Sequence, residues 1–91
     1  MELREQAGQI RVLMVDDDRK LCRLVVEYLS RMGFVISCVH TGPEGLIRAK
    51  DGGYNAVILD VMLPGMDGFD LIKALRRASD VPVLMLTARG D

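Results

Sequence analysis

Two groups of acidic residues each follow a short apolar run, and both have the chemistry of a carboxylate site. Asp16 and Asp17 come directly after the run 10–15, and Asp60 comes directly after the run 56–59. Short apolar runs with β-branched members are typical of strands buried on both faces of a parallel sheet. In open α/β sheets the carboxyl ends of the strands form the edge where ligands bind. The pattern therefore predicts one acidic pocket at that edge.

A pocket of this kind is expected to bind a divalent cation. Carboxylates a few ångströms apart disfavour joint ionisation unless a cation lies among them. The expected donors are hard oxygens, and no His or Cys is adjacent in sequence, so the donor set favours Mg²⁺ or Mn²⁺. A bound cation would allow the pocket to accept a phosphoryl group, which bare carboxylates would repel. Thr87 adds a hydroxyl at the same edge, after the apolar run 83–86.

The elements that must position these residues alternate between strands and helices. Strands are predicted at 10–15, 34–39, 56–60 and 83–86, with one helix in each interval. The order βαβαβαβ predicts parallel strands joined by right-handed crossovers. In the 2-1-3-4 order of flavodoxin-like sheets the first and third strands are neighbours, which would bring the two acidic groups together. The fold class predicted is therefore α/β with a flavodoxin-like parallel sheet and flanking helices.

Capping residues and apolar spacing predict how the helices begin and pack. Asp18 and Asp67 precede the first and third helices, and N-capping alone accounts for both. Thr41 with Glu44 three residues later has the form of a capping box before the second helix. The side chains expected to face inward are Leu21, Leu24, Val25, Tyr28, Leu29 and Met32 in the first helix, Leu46, Ile47 and Ala49 in the second, and Phe69, Leu71, Ile72 and Leu75 in the third.

Length and composition limit the possible functions. The chain has 91 residues, 49% of them apolar, which is enough for one small domain. A formal net charge of −1 gives no electrostatic case for binding nucleic acid or a membrane surface, and no apolar segment approaches the roughly 20 residues of a membrane span. Cys22 and Cys38 follow no metal or redox spacing, which favours reduced thiols in a cytoplasmic protein. Residues 1–9 are predicted to be a flexible tail, and His40 a surface residue at a strand end.

Three segments together resemble the receiver domain of bacterial two-component response regulators, most closely those of the winged-helix transcription-factor branch. The segments are 12–18, 58–68 and 82–88, and the resemblance extends over essentially all of 10–91. It implies a sensor histidine kinase as phosphoryl donor, and a transcriptional response through a DNA-binding effector domain that lies outside this chain. It also implies a signalling module, whose only catalysis is its own phosphorylation and dephosphorylation.

The same resemblance implies roles for individual residues. Asp60 would be the phosphoacceptor. Asp16 and Asp17 would hold Mg²⁺ together with Asp60 and the main-chain carbonyl of Met62. Thr87 would hydrogen-bond the phosphoryl group and act as a switch.

One difference from the family pattern leads to three further expectations. Receivers continue through a further helix, strand and helix and carry a lysine at the end of their fifth strand, so 10–91 is expected to be a partial receiver domain. No lysine of the chain can be assigned to that position, and a phosphoryl group on Asp60 is therefore expected to be poorly stabilised. Strand 83–86 would be an exposed apolar edge, which predicts a homo-oligomer.

Two alternatives differ from this interpretation in function. A nucleotide- or flavin-binding enzyme of the same topology would need a glycine-rich or hydroxyl-rich first strand–helix turn, whereas residues 16–19 contain three aspartates and an arginine. A phosphotransfer-inactive interaction or dimerisation fragment of the same fold would keep the sheet without the chemistry. The intact acidic residues and Thr87 favour a phosphoacceptor over both.

Overall fold

A computed structural model describes residues 9–86, in which strands and helices alternate along the chain. The strands are β1 (Arg11–Val15), β2 (Val35–Val39), β3 (Ala56–Asp60) and β4 (Val83–Leu86). The helices are α1 (Arg19–Arg31), α2 (Gly42–Asp51) and α3 (Gly68–Arg76). The predicted tail, apart from Gln9, lies outside the described residues. Between residues 9 and 86, no helix has the length and hydropathy to cross a membrane.

All strands of the sheet are parallel, and their order is β2-β1-β3-β4. The predicted flavodoxin-like 2-1-3-4 sheet is therefore confirmed. Val15 at the end of β1 pairs with Val39 on one side and with Leu59 on the other. Asp16 and Asp60 each come one residue after a member of the Val15–Leu59 pair. The register alone thus places their main chains side by side at the carboxyl edge.

The main core lies between the sheet and the two helices α2 and α3. It is built from alternate strand residues that face these helices, such as Leu13 and Leu59, both of which are fully buried. Leu71 and Leu75 of α3 and Ala49 of α2 close it from above. Because the last core residues of β1 and β3 directly precede the acidic residues, packing in this core positions the strand ends that carry the carboxylates.

Helix α1 packs separately from that core, through a side that includes the buried Cys22. The predicted inward face of α1 is partly wrong, because Leu21, Leu24, Tyr28 and Met32 are exposed, Tyr28 with 64% of its surface accessible. The apolar residues of α1 cover a wide arc, and only the side around Cys22 lies against the sheet. No other helix within residues 9–86 covers the remaining part of the arc.

Two further inward predictions are wrong for one geometric reason. Phe69 and Ile47 are 61% and 66% exposed, whereas Leu71 and Ala49, each two residues later, are buried. Two residues along a helix correspond to a rotation of about 200°, so neighbours at that spacing lie on opposite sides. Once α2 and α3 pack through Ala49 and Leu71, Ile47 and Phe69 have to face away from the core.

Candidate functional site

Three carboxylates converge at the carboxyl edge of the sheet. Side-chain oxygens of Asp16, Asp17 and Asp60 all lie within 4.8 Å of one another. Asp16 is buried, with 4% of its surface accessible, Asp60 is half-buried, and Asp17 is exposed. The structure thus brings together the three carboxylates that the sequence placed in one pocket. The pocket opens to solvent beside Asp17.

Local hydrogen bonds orient the two carboxylates at the strand ends. Oδ1 of Asp16 accepts from the amide of Asp18 at 2.9 Å, and Oδ1 of Asp60 accepts from the amide of Met62 at 3.0 Å. Both are bonds to the residue two positions later, a geometry that aspartate favours where a strand enters a turn. Among residues 9–86, no hydrogen bond reaches the second oxygen of either group. Each carboxylate is therefore oriented through one oxygen, and the other is available for a ligand.

The electrostatics of the pocket disfavour a full set of ionised carboxylates. Burial raises the pKa of Asp16, the amide of Asp18 opposes this by stabilising the anion, and the charges of Asp60, Asp17 and Asp18 raise it further. Clustered carboxylates of this kind are relieved by a cation among them. The donors are hard oxygens from two neighbouring strand ends, and part of the site is open to water. These properties fit Mg²⁺ or Mn²⁺, which bind carboxylates and retain several waters.

The turn after β3 contains Met62, whose main-chain carbonyl was predicted to be a metal ligand. Its amide donates a hydrogen bond to Oδ1 of Asp60, which connects this turn to the acidic pocket. The other end of the turn is anchored where α3 begins, since the amide of Gly68 donates to the carbonyl of Val61 at 3.3 Å. A Cβ on residue 68 would lie 2.8 Å from the Cα of Val61, so only glycine allows this approach. Close packing against α3 thus sets the path of the turn.

The remaining predicted site residue and the neighbouring acids have different outcomes. Thr87 lies outside the described residues; β4 ends at Leu86, which pairs with Asp60. Asp18 and Asp67 cap α1 and α3, as predicted, by accepting from the amides of Leu21 at 3.0 Å and Phe69 at 2.7 Å. Neither belongs to the group of converging carboxylates.

His40 is the residue at this site that the sequence interpretation missed. It is half-buried, and its Nδ1 lies 2.9 Å from the main-chain carbonyl oxygen of Asp16. The thiol of Cys22 donates to the same oxygen at 3.5 Å. A single histidine after a strand carries no local signal of such a contact. Only the pairing of Val15 with Val39 places His40 beside Asp16, and that register is not visible in the sequence.

Comparison with known proteins agrees with this geometry. The profile of the response regulator receiver domain family matches residues 12–91. The chain belongs to the response regulator receiver domain family. This confirms the resemblance noted from the acidic motifs. This domain is accordingly a signalling module of the receiver type.

Among relatives of this receiver domain is the transcriptional regulatory protein HprR of Escherichia coli. The two are 41% identical over 82 residues, which are 90% of this chain and 37% of HprR. The chain thus spans about a third of the length of the transcriptional regulators it matches.

Three solved structures of two response regulators are similar over a larger share of their length. The chemotaxis response regulator CheY4 of Vibrio cholerae has a TM-score of 0.85 and 32% identity, covering 92% of this chain and 72% of CheY4. Response regulator TrrA of Thermotoga maritima, solved in complex with Mg²⁺-BeF, has a TM-score of 0.84 and 32% identity, covering 90% of this chain and 72% of TrrA. The structure of TrrA in complex with the histidine kinase ThkA is also similar, with a TM-score of 0.81 and 33% identity. The match covers 91% of this chain and 76% of the matched chain of that complex.

Proposed function

We propose that this receiver domain is a phosphoacceptor of a two-component signalling system, and that Asp60 takes a phosphoryl group from a sensor histidine kinase. The observation that supports the proposal most directly is the convergence of the Asp16, Asp17 and Asp60 carboxylates within 4.8 Å at the end of two neighbouring strands. A half-buried carboxylate beside two further acids is arranged for phosphoryl chemistry with a divalent cation. An isolated structural aspartate would not need these neighbours.

Asp60 is suited to act as the nucleophile. Its Oδ1 is held by the amide of Met62, so the side chain is oriented before a donor arrives. The second oxygen attacks the phosphorus atom of a phosphohistidine; the new O–P bond forms as the N–P bond breaks, and the imidazole leaves with the N–P electron pair. The product is an acyl phosphate on Asp60. Its hydrolysis returns the carboxylate, which makes the modification reversible.

Asp16, Asp17 and Asp60, with the main-chain carbonyl of Met62, are proposed to hold Mg²⁺ or Mn²⁺. A cation held there would neutralise charge on the phosphoryl oxygens. The structure of TrrA in complex with Mg²⁺-BeF supports a divalent cation as the ligand of this site. Thr87 is proposed, from the family resemblance, to hydrogen-bond the phosphoryl group. From the same resemblance, catalysis at this site is proposed to be limited to the phosphorylation and dephosphorylation of Asp60 itself.

The proposed partners follow from the relatives. The TrrA–ThkA complex supports a sensor histidine kinase as donor. Relatives named as transcriptional regulatory proteins support an output on DNA, which is proposed to act through an effector domain outside these 91 residues. The proposed location of the protein is the cytoplasm. The phosphotransfer-inactive alternative is not favoured, because the three carboxylates are intact and converge.

Beryllofluoride with Mg²⁺ provides the test, since this pair mimics an acyl phosphate without a kinase. In ¹H–¹⁵N spectra of the parent chain, we expect Mg²⁺ alone to shift the amides of Asp16, Asp17 and Met62, and beryllofluoride to add further saturable shifts only when Mg²⁺ is present. Asp60→Asn should abolish the response to beryllofluoride. Asp70→Asn, on the exposed first turn of α3, is the matched control and should respond like the parent. A parent chain that does not respond, or an Asp60→Asn chain that responds fully, would contradict the proposal.

Self-association is the last part of the proposal. Within residues 9–86, β4 is an outer strand of the sheet, and Leu84 on it is 60% exposed. An apolar outer strand with unpaired backbone groups is prone to pair with another chain. We therefore expect a homo-oligomer formed through β4.

A further inference from the structure

The main-chain carbonyl of Asp16 lies just beyond the regular hydrogen bonding of the sheet. The amide of the same residue is still part of the β1–β2 ladder and donates to the carbonyl of Val39 at 3.1 Å. Strand β2 ends at Val39, and among residues 9–86 no backbone amide donates to the Asp16 carbonyl. Because a buried carbonyl needs a hydrogen-bond donor, this group depends on side chains.

Two side chains from different elements supply those donors. The Nδ1 atom of His40, after β2, lies 2.9 Å from the oxygen, and Sγ of Cys22, in α1, lies 3.5 Å from it. A carbonyl oxygen only accepts, so Nδ1 must carry the proton. The two donor atoms are 3.9 Å apart and converge on this one carbonyl oxygen, which can accept two hydrogen bonds. The hydrogen bond from His40 is the shorter of the two, and N–H is a stronger donor than S–H, so His40 is the main donor.

We infer that His40 is a positioning residue for the cation site, and that it acts by holding the main chain of Asp16 with help from Cys22. The inference rests on the proposed Mg²⁺ site. Rotation of the Asp16 peptide would turn its carboxylate away from Asp17 and Asp60. The hydrogen bonds of the amide and the carbonyl together prevent that rotation. Hydrogen bonds behind a metal ligand orient it, and their loss typically lowers metal affinity by 10–100-fold.

The inference is tested by Mg²⁺ affinity in two variants that differ only in where a donor lies. The amide nitrogen of His40→Asn takes the place of Nδ1, whereas that of His40→Gln takes the place of Nε2. We expect His40→Asn to bind Mg²⁺ within about twofold of the parent and His40→Gln to bind about tenfold more weakly. Calorimetric titration with MgCl₂ measures both, and melting curves in EDTA measure the stability of the metal-free chains.

A purely structural role would produce a different pattern. If both variants lost the same affinity in proportion to their loss of melting temperature, His40 would not be a positioning residue. Ser37→Ala is the matched control, because Ser37 lies in β2, three residues before His40, but pairs with Leu13, three residues before Asp16. Its Mg²⁺ affinity should equal that of the parent even if its melting temperature falls.

Cys22 offers an independent check through coupling. Cys22→Ser retains an O–H donor and should bind Mg²⁺ like the parent, whereas Cys22→Ala should bind more weakly. In the His40→Gln/Cys22→Ala double variant the carbonyl has neither donor, so the loss should exceed the product of the two single losses. Strictly multiplicative effects would overturn the shared role of the two side chains.

One measurement on the parent chain needs no metal and no variant. Long-range ¹H–¹⁵N spectra of the His40 ring at pH 8 identify the protonated nitrogen, and we expect Nδ1–H. An Nε2–H tautomer would exclude the hydrogen bond and overturn the inference whether or not Mg²⁺ binds. If the tautomer is Nδ1–H but the parent does not bind Mg²⁺, the proposed function fails and the structural contact stands.

Discussion

At the scale of single residues, Asp16 is placed for ligand binding at the expense of stability. Burial and the nearby carboxylates raise its pKa, which means that the folded state disfavours the ionised form. At neutral pH the ionised side chain therefore destabilises the cation-free fold. A carboxylate whose pKa is raised by burial and by neighbouring charges is typical of functional sites.

Replacement of Asp16 by asparagine should make the cation-free protein more stable. Asparagine is isosteric, retains the oxygen that accepts from Asp18, and removes the buried charge. Urea unfolding at pH 7 in EDTA should show an unfolding free energy about 0.5–2 kcal/mol higher than in the parent. The gain should disappear as the pH falls and Asp16 of the parent becomes protonated.

Mg²⁺ should reverse the order of stability of the parent and Asp16→Asn. Mg²⁺ should raise the melting temperature of the parent progressively as its concentration exceeds the Kd. It should not stabilise Asp16→Asn. Asp17→Asn is the control, because Asp17 is exposed and its neutralisation should change the EDTA value less. An Asp16→Asn protein less stable than the parent in EDTA would show that the carboxylate supports the fold.

At the scale of elements, the features set by local hydrogen bonds were predictable from the sequence. Asp18, Thr41 and Asp67 cap the three helices as expected, with Oγ1 of Thr41 accepting from the amide of Glu44 at 3.3 Å. β3 and β4 have their predicted bounds. Capping chemistry and short apolar runs involve residues close in sequence, so the pattern alone contains them.

Features that depend on packing between distant elements were not predictable in the same way. Tyr28 and Phe69 have the hydrophobicity of core residues, but the side that each helix presents to the sheet is decided by its neighbours. The contact of His40 with Asp16 depends on the register of β1 against β2. The convergence of the carboxylates was predictable because strand order and strand ends suffice to bring them together.

The approach of α3 to the turn after β3 gives a prediction at this scale. Gly68→Ala places a methyl group 2.8 Å from the Cα of Val61 and 3.4 Å from the carbonyl oxygen of Asp60, so α3 or the turn must move. We expect a loss of about 1–3 kcal/mol in unfolding free energy by chemical denaturation. The ¹H–¹⁵N chemical shifts of the Asp60 and Met62 amides should also change relative to the parent.

The first turn of α3 also contains the control for that substitution. Phe69 is exposed, so Phe69→Ala changes the same turn without a steric conflict and should cost less than 1 kcal/mol. A Gly68→Ala protein with parent stability and unshifted Asp60 and Met62 amides would contradict the packing argument.

At the scale of the whole molecule, apolar residues are exposed on both α1 and β4. Leu24, Tyr28 and Leu84 each have more than half of their surface accessible, and β4 pairs on one side only within residues 9–86. Exposed apolar side chains together with an outer strand favour association between chains. The oligomeric state of the protein should therefore depend on β4.

Leu84→Lys tests the role of β4. A charge on the outer strand disfavours pairing with another chain, so this variant should be monomeric at concentrations where the parent is dimeric or larger. Light scattering coupled to size-exclusion chromatography measures the mass over a concentration series. Ile47→Lys, at an exposed apolar position on α2, is the control and should associate like the parent. A parent chain that remains a monodisperse monomer at high concentration would refute the proposed oligomer.

The pairing of β1 with β3 has a consequence for biosynthesis. During translation the chain acquires Asp16 and Asp17 early, but their partner Asp60 follows two complete helices and a strand later. Until β3 has been synthesised and docks beside β1, the nascent chain has at most two of the three carboxylates in place and no shared pocket. Divalent-ion capture would then report that the central strand pair has formed, and a ribosome-bound intermediate that ends within α2 should be indifferent to magnesium at this position.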